Sequence, residues 1–510
     1  MRERLACHVG DNSAKSGRPR DNGGQGASVG NFHRNLRGSL AVLVGASLLM
    51  LPTIAPASAE KSDRLDSFYA QTLKWTKCGK ASCALVTVPL DYGQPDGATI
   101  ALSIRRIGSP GLPPLIMNPG GPGAEGATFA QSIAASLDPA VSEAFTPVGF
   151  DPRGTGVSAP VKCFTGVSAN KWLRTDSTPD TAAEVSNYMS AAAEISPACQ
   201  RLSPGLVGHI GTDNTVRDID IIRATLGSEK LNWLGFSYGT SLGTRYAELF
   251  PDRVGRMVLD GAVDPSLDAM ELSHGQSDGF QKAIGRFSQQ YPGSITIMNR
   301  LLRALDRTEM KTEGSQTLTQ SEANTAIFLS MYSTSFWPEL HDALNEARAG
   351  NGTQLQELSY YANDQTAPTK FASNSLSAFN AINCWDFPQT PAAVGLSRSA
   401  RQFSRQAKVP ELARAMSWGN APCSTWFGHS PLEPTAAETT TDAPILIVGT
   451  TYDPATPLAW ARALHKQLPT SSLLTFVGDG HTAYLGGNTC IDETVNNYLL
   501  TGFAPKTKTC

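Results

Sequence analysis

The sequence predicts an α/β fold in which a mostly parallel central sheet is flanked by helices and a helical cap is inserted. Three observations lead to this prediction. Short apolar runs end at glycine-rich loops and lead into helical patterns, as buried parallel strands do. Residues 231–259 form one strand–helix–strand unit of about 30 residues, the length of a right-handed crossover. Between residues 266 and 440, helical periodicity replaces the strand signals.

The individual elements follow from hydrophobic alternation and from short apolar runs. Residues 84–90 and 98–107 alternate and flank a Gly/Pro-rich turn, which indicates an antiparallel hairpin. The further strand candidates are residues 114–117, 146–150, 231–236, 254–259, 444–449 and 473–477. The helix candidates are residues 216–226, 238–250, 280–287, 297–305, 335–349, 457–468 and 491–500.

These patterns divide the chain into four parts. We expect a signal peptide with an extended n-region at residues 1–59 and the first part of the core at residues 60–265. The helical cap follows at residues 266–440, and the second part of the core, with a C-terminal extension, at residues 441–510.

The N-terminal segment has the pattern of an export signal. Arg34 and Arg37 precede an apolar run at residues 40–51, and residues 57–59 supply the small side chains of a cleavage site before Glu60. The run is shorter than the about 20 apolar residues that cross a bilayer. No cysteine follows it to carry a lipid. We therefore expect a secreted protein, cleaved near Ala59, without a stable membrane anchor.

Cysteine content and charge fit an exported protein. Cys7 would leave with the signal, and the eight cysteines that remain indicate disulfides. Proximity favours the pairs Cys78–Cys83, Cys163–Cys199, Cys384–Cys423 and Cys490–Cys510, although 105 pairings are possible. Buried free thiols are the alternative. The net charge is −3, so basic residues are not in excess, as they are in most nucleic-acid-binding domains. We therefore expect no nucleic-acid partner. No H-E-x-x-H motif occurs, and we expect no metal and no cofactor.

A G-x-S-x-G motif supplies the candidate nucleophile. Ser237 lies in Gly235-Phe236-Ser237-Tyr238-Gly239, between a predicted strand and a predicted helix. In that context the serine occupies a sharp turn that exposes its hydroxyl, and flanking glycines let the backbone pack closely. An ordinary Gly/Ser loop that caps a helix is the alternative interpretation.

A serine nucleophile needs a base to accept its proton. In this architecture the residues follow each other along the chain in the order serine, acid, histidine. Five histidines follow Ser237: His274, His341, His429, His465 and His481. His481 alone directly follows a strand candidate on a glycine-flanked loop. Asp453 follows the strand candidate at residues 444–449 and is predicted to orient the imidazole. Asp479 and Asp260 remain alternatives for the acid.

Oxyanion donors are predicted from the backbone. The N–H of Tyr238 is one donor, and the glycine-rich loop at residues 118–123 offers the second, which we assign to Gly121. The same loop formally matches the dinucleotide pattern G-x-G-x-x-G at residues 121–126. Pro119 and Pro122 interrupt that turn, and no strand-ending acid lies at the expected distance, so a nucleotide site is not predicted.

Together these residues resemble the tripeptidyl aminopeptidase-like branch of the α/β-hydrolases, which is related to proline iminopeptidases. The resemblance runs from about residue 75 to Cys510. It is carried by the segments at residues 88–92, 118–123, 151–156, 235–240 and 259–265, and by the C-terminal pattern from Tyr498. It implies an α/β-hydrolase fold, the triad Ser237, Asp453 and His481, and peptide substrates with a free N-terminus. Asn118 replaces a histidine that proline iminopeptidases often have, which favours the tripeptidyl branch.

Three functions stay open at this stage. The first is a secreted exopeptidase that releases short peptides, tripeptides above all, through an acyl-enzyme on Ser237. The second is a carboxylesterase or lipase with the same triad, and the third is a non-catalytic binding protein on a hydrolase fold. Glu339 and Asp342 are candidates to hold a substrate ammonium group, but exposed helix residues are the simpler interpretation.

Overall fold

The computed structural model describes residues 64–387, 390–431 and 433–510, so the predicted signal peptide lies outside the described residues. The strands are β1 Thr76–Cys78, β2 Ala81–Pro89, β3 Thr99–Ile107, β4 Pro114–Asn118, β5 Thr146–Phe150, β6 Leu231–Phe236, β7 Val254–Asp260, β8 Gln365–Ala367, β9 Lys370–Phe371, β10 Ile445–Tyr452, β11 Ser471–Asp479 and β12 Lys508–Thr509. The helices are α1 Asp66–Tyr69, α2 Gly126–Ile133, α3 Pro139–Ala144, α4 Gly166–Arg174, α5 Ala182–Ala193, α6 Ile195–Leu202, α7 Thr212–Thr225, α8 Tyr238–Leu249, α9 Ala269–Gln290, α10 Ser294–Leu305, α11 Gln320–Met331, α12 Trp337–Arg348, α13 Thr353–Ala362, α14 Ser375–Asp386, α15 Ala393–Ser404, α16 Pro410–Trp418, α17 Leu458–Gln467 and α18 Thr489–Thr501.

The central sheet is mostly parallel, as predicted. Its ten strands have the order β1-β2-β3-β5-β4-β6-β7-β10-β11-β12. The pairs β1–β2, β2–β3 and β3–β5 are antiparallel, and every pair from β5 to β12 is parallel. The predicted hairpin corresponds to β2 and β3. Carboxyl ends of parallel strands meet at one edge, and the loops after β4, β6, β10 and β11 therefore gather there.

Helices cover both faces of the sheet because successive strand residues point to opposite sides. Within β10, Ile445 and Ile447 pack with residues of α7, α8 and α17, whereas Leu446 and Val448 pack with residues of α2, α3 and α18. All four of these side chains are fully buried. Burial on both faces explains why the parallel strands read as continuous apolar runs rather than as alternating ones.

The segment between β7 and β10, which we call the insertion, contains α9 to α16 and the small β8–β9 hairpin. It has a hydrophobic core of its own, in which Phe287, Met298, Ile327 and Leu340 are fully buried. A second cluster joins helix α14 of the insertion to helix α6, which precedes β6. The insertion therefore packs both on itself and on helices from earlier in the chain.

Four disulfides are present, and they are the four pairs that sequence proximity favours: Cys78–Cys83, Cys163–Cys199, Cys384–Cys423 and Cys490–Cys510. Such a set is typical of proteins from oxidising compartments. In the part of the chain that the structure covers, no helix has the length and hydropathy needed to span a membrane.

Candidate active site

The turn after β6 holds Ser237 in a backbone conformation that residues other than glycine rarely adopt. β6 ends one residue before it and α8 begins one residue after it, so the serine joins strand to helix with φ 54° and ψ −123°. Close approach requires both flanking glycines. A Cβ on Gly235 would lie 2.4 Å from the carbonyl oxygen of Gly239, and a Cβ on Gly239 would lie 2.8 Å from the carbonyl oxygen of Asn118. The strand-to-helix turn predicted from the motif is present.

Asp453 and His481 meet at the carboxyl edge of the sheet. Asp453 directly follows β10, and His481 lies two residues beyond the end of β11. The imidazole Nδ1 is 2.9 Å from each carboxylate oxygen of Asp453. The same carboxylate, which is 2% exposed, accepts the N–H groups of Ala455, Thr456 and Thr482 and the hydroxyl of Thr456. These donors stabilise the ionised form of the carboxylate and fix its orientation.

The environment of His481 suits a general base. Burial lowers the pKa of the imidazole, but the negative charge of Asp453 and its hydrogen bond to the ring outweigh burial, and the pKa is raised above the ordinary value of 6.5. The opposite ring nitrogen, Nε2, is buried and makes no hydrogen bond to any described residue, Ser237 included. A base whose second nitrogen is unoccupied is available to accept a proton from substrate chemistry.

Two backbone N–H groups beside Ser237 have no acceptor among the described residues. The N–H of Gly120 donates to the side-chain oxygen of Asn118 at 2.9 Å, whereas the next N–H, of Gly121, donates to no described residue. Tyr238 is the first residue of α8, so its N–H has no intrahelical acceptor. A Cβ on Gly120 would lie 2.9 Å from the Tyr238 nitrogen, which shows how closely the glycine loop packs on the serine turn. Gly121, Ser237 and Tyr238 line the same cleft.

The two alternative acids have other contacts. Asp479 forms a two-pronged ion pair with Arg286, with both N···O distances at 2.9 Å. Asp260 is fully buried and accepts the N–H groups of Ala483 and Tyr484, while burial raises its pKa to about 7. Asp260 therefore holds the backbone that follows His481, and the structure brings Asp453 alone of the three onto the imidazole Nδ1.

The other four downstream histidines have contacts elsewhere. His274 stacks on Phe403, His341 stacks on Tyr291, His429 contacts the carbonyl of Ser430, and His465 contacts the hydroxyl of Ser471. Each of these four imidazoles thus has a contact through one ring face or one ring nitrogen, and none of these contacts is with Asp453.

The insertion holds the loop that carries His481, a feature that the sequence did not indicate. The carbonyl of Tyr332, at the end of α11, accepts the N–H of His481 at 2.8 Å, and the two rings meet edge to face at 5.2 Å. Arg286 of α9 binds Asp479 and also lies 4.6 Å from the centre of the Tyr452 ring. Helix α9 therefore contacts residues that precede Asp453 and His481 in the sequence, and the end of α11 contacts His481 itself.

The chain is similar to several known proteins. Residues 409–510 match a family model described as TAP-like protein. Serine protease Hip1 of Mycobacterium tuberculosis is 33% identical over 475 residues, which cover 85% of this chain and 90% of that protein. The chain belongs to the TAP-like family of α/β-hydrolases. Another relative of this TAP-like protein is the tripeptidyl aminopeptidase of Streptomyces lividans, 32% identical over 450 residues, with 84% and 83% covered. Carboxylesterase B of M. tuberculosis is 33% identical over 478 residues, with 89% and 90% covered.

The TAP-like protein is a serine hydrolase with a large cleft between the carboxyl edge of its sheet and the insertion. The cleft has a cavity volume of about 370 Å³ and is open to solvent. Its apolar lining includes Phe280, Phe328, Tyr332, Phe379, Met416 and Trp460, and its polar lining includes Gln276, Asn380, Asn383 and Asn420. No charged side chain of the described residues lines it, and Glu339 and Asp342 are not among its residues.

Proposed function

We propose that this TAP-like enzyme is a secreted serine exopeptidase that releases short peptides, with tripeptides as the main product, from free N-termini. The observation that carries the proposal is the Asp453–His481 pair with an unbonded Nε2, at the same sheet edge as a serine on a strand-to-helix turn. Residues 60–265 and 441–510 form the core in this proposal, and residues 266–440 form the cap. Secretion is supported by the N-terminal apolar run and by the four disulfides.

The proposed reaction proceeds through an acyl-enzyme. The Oγ atom of Ser237 attacks the scissile carbonyl carbon while His481 Nε2 accepts the hydroxyl proton. The oxyanion that forms accepts hydrogen bonds from the N–H groups of Gly121 and Tyr238. His481 then donates the proton to the leaving amine as the C–N bond breaks. A water molecule, deprotonated by His481, hydrolyses the ester and restores Ser237, and Asp453 stabilises the imidazolium in both steps.

Names of relatives support the peptide substrate, since one is a serine protease and another a tripeptidyl aminopeptidase. The size of the cleft also supports it, because a cavity of about 370 Å³ lies within the usual range of ligand-binding pockets.

A carboxylesterase is the second candidate function. The cleft lacks a charged side chain among the described residues, which suits a neutral ester as well as a peptide. One relative is named carboxylesterase B. The same triad would serve both reactions, so the choice between them depends on how the enzyme treats the N-terminus of its substrate.

Three substrates separate the two functions: a tripeptidyl anilide with a free N-terminus, its N-acetylated twin, and a short-chain aryl ester. We expect the secreted protein to cleave the free tripeptide faster than the acetylated one and to release the intact tripeptide. Ser237→Ala should abolish this turnover, with a loss of about 10³-fold or more. Fast ester hydrolysis with neither peptide cleaved would reject the exopeptidase and leave the esterase.

A further inference from the structure

A second cavity continues from the catalytic cleft past Tyr238. Its volume is about 130 Å³, and it shares with the cleft the residues Tyr238, Ser241, Val263, Leu272 and Phe387. It differs from the cleft in charge, since carboxylates line its wall. A substrate bound to Ser237 can therefore extend from an uncharged space into one that favours a cation.

Asp386 is a carboxylate of this cavity that has no cationic partner among the described residues. It ends helix α14, the helix that presents Asn380 and Asn383 to the catalytic cleft. Its carboxylate accepts the N–H and the hydroxyl of Thr212, at 3.1 Å and 2.7 Å, and it forms no ion pair with any described residue. Burial raises its pKa to about 7, as expected for a carboxylate without a positive neighbour.

Other charged groups of the cavity are occupied. Arg245, the one cationic side chain among the described residues of the wall, is paired with Asp213 and with Glu248 at 2.7 Å and 2.9 Å. Asp264 accepts hydrogen bonds from the N–H and hydroxyl of Ser266 and from a side-chain amide.

Asp386 is also connected to the catalytic turn. Because the Thr212 hydroxyl donates to Asp386, it accepts the hydrogen bond that joins it to the phenol of Tyr238, at 2.6 Å. The N–H of the same Tyr238 is one of the two proposed oxyanion donors. The side chains of Tyr238 and Thr212 and two hydrogen bonds therefore link the proposed oxyanion donor to Asp386.

We propose that Asp386 binds the α-ammonium group of the substrate in the cavity beside Tyr238, and that this contact makes the enzyme select free N-termini. This inference rests on the proposed exopeptidase function and names the residue that would enforce it. The ammonium group supplies the positive partner that Asp386 lacks among the described residues. It forms a charge-assisted hydrogen bond with a carboxylate that Thr212 already orients.

The test compares kcat/KM for the free tripeptidyl anilide and for its N-acetylated twin in Asp386→Asn. We expect the free-to-acetylated ratio to fall by about ten- to a hundredfold, the range for losing a hydrogen bond between charged groups. The loss should appear mainly as a higher KM. Glu433→Gln, at another carboxylate of the same cavity, is the matched control and should keep the wild-type ratio.

Each outcome has a defined meaning. If the wild type does not distinguish the two substrates, the exopeptidase function itself is rejected. If the wild type distinguishes them and Asp386→Asn keeps the ratio, or loses activity on both substrates equally, then Asp386 only caps helix α7 and the inference is overturned. Loss of the ratio in Glu433→Gln instead would also overturn it.

A wild-type measurement covers the case in which Asp386→Asn fails to fold. Free and acetylated tripeptides are used as competitive inhibitors between pH 5.5 and 7, where the α-ammonium group of the free peptide stays protonated. Because the pKa of Asp386 is about 7, the inhibition constant of the free tripeptide should fall as the carboxylate ionises, while that of the acetylated peptide should not. Parallel pH profiles for the two inhibitors would contradict the inference.

Discussion

At the scale of single residues, the pairing of His481 with Asp453 sets the pH range in which the imidazole can accept a proton. The carboxylate of Asp453 accepts a hydrogen bond from Nδ1 of His481 and two more from N–H groups of its own loop. These bonds fix the position of the negative charge next to the imidazole. The imidazole acts as a base only in its neutral form, and Asp453 raises its pKa. Activity should therefore be present above that raised pKa and be lost as the pH falls through it.

Asp453→Asn should change both the rate and its pH dependence. We expect kcat to fall by about 10⁴-fold, the loss known when a triad acid becomes an amide and the imidazole takes the wrong tautomer. Removal of the negative charge leaves burial, which lowers the pKa of His481, so the acidic limb of kcat/KM should move to lower pH. The profile is measured between pH 4 and 9 with the aryl ester. A limb at the wild-type pH would contradict the assignment of Asp453.

At the scale of elements, helices α9 and α11 of the insertion position the loop that carries His481. The ion pair between Arg286 and Asp479 spans 193 residues of sequence, and the contact of Tyr332 with His481 is the second attachment. Asp260 supports the same loop from the sheet side. The base is thus oriented by groups from three separate parts of the chain.

Arg286→Gln should lower kcat more than it changes KM, because Arg286 acts through the position of His481. The guanidinium is 38% exposed, so solvent screening limits the effect to about 1 kcal/mol, or about fivefold. Arg286→Lys should restore part of the rate. Lys282→Gln, at an exposed cation one turn earlier on α9, serves as the control. An equal fall in the control, or an effect on KM alone, would show that Arg286 does not position the base.

Elements of the core could be predicted closely, and the reason is local. The strands predicted at residues 146–150 and 231–236 match β5 and β6 to the residue, because buried parallel strands are short apolar runs with glycine-rich ends. The helix predicted at residues 280–287 covers only part of the C-terminal half of α9, since the first turns of that helix contain small and polar residues that hide the periodicity.

Contacts between distant parts of the chain could not be predicted from those patterns. The residues predicted for the site occupy the expected loops, and His481 contacts Asp453, whereas Asp479 contacts Arg286. The attachments by Arg286 and Tyr332 depend on how the insertion packs, which hydrophobic periodicity does not encode. The cavity that Asp386 lines could not be predicted for the same reason, because it exists only after α14 packs beside α7 and α8.

At the scale of the whole molecule, disulfides tie together segments that the fold brings close. Cys384 and Cys423 both line the catalytic cleft and join α14 to the turn after α16. The Cys490–Cys510 bond joins α18 to the C-terminus, next to edge strand β12. The wall of the cleft and the last strand of the sheet are therefore both covalently fixed.

Loss of the cleft disulfide should destabilise the protein more than loss of the first one. The Cys384–Cys423 bond closes a separation of 39 residues and the Cys78–Cys83 bond one of 5. Loop-closure entropy predicts losses in the free energy of unfolding of about 4 kcal/mol and about 2 kcal/mol when both cysteines of a pair become alanine. Chemical unfolding followed by tryptophan fluorescence measures both. Equal losses, or a larger loss for Cys78→Ala/Cys83→Ala, would contradict this order.

The attachment of the His481 loop to the insertion also couples two parts of the molecule mechanically. Tyr332 and Arg286 contact the loop that carries the imidazole, so a displacement of α9 or α11 would move that loop as well. The packing of the insertion and the alignment of the proposed proton acceptor are therefore one structural property of this protein.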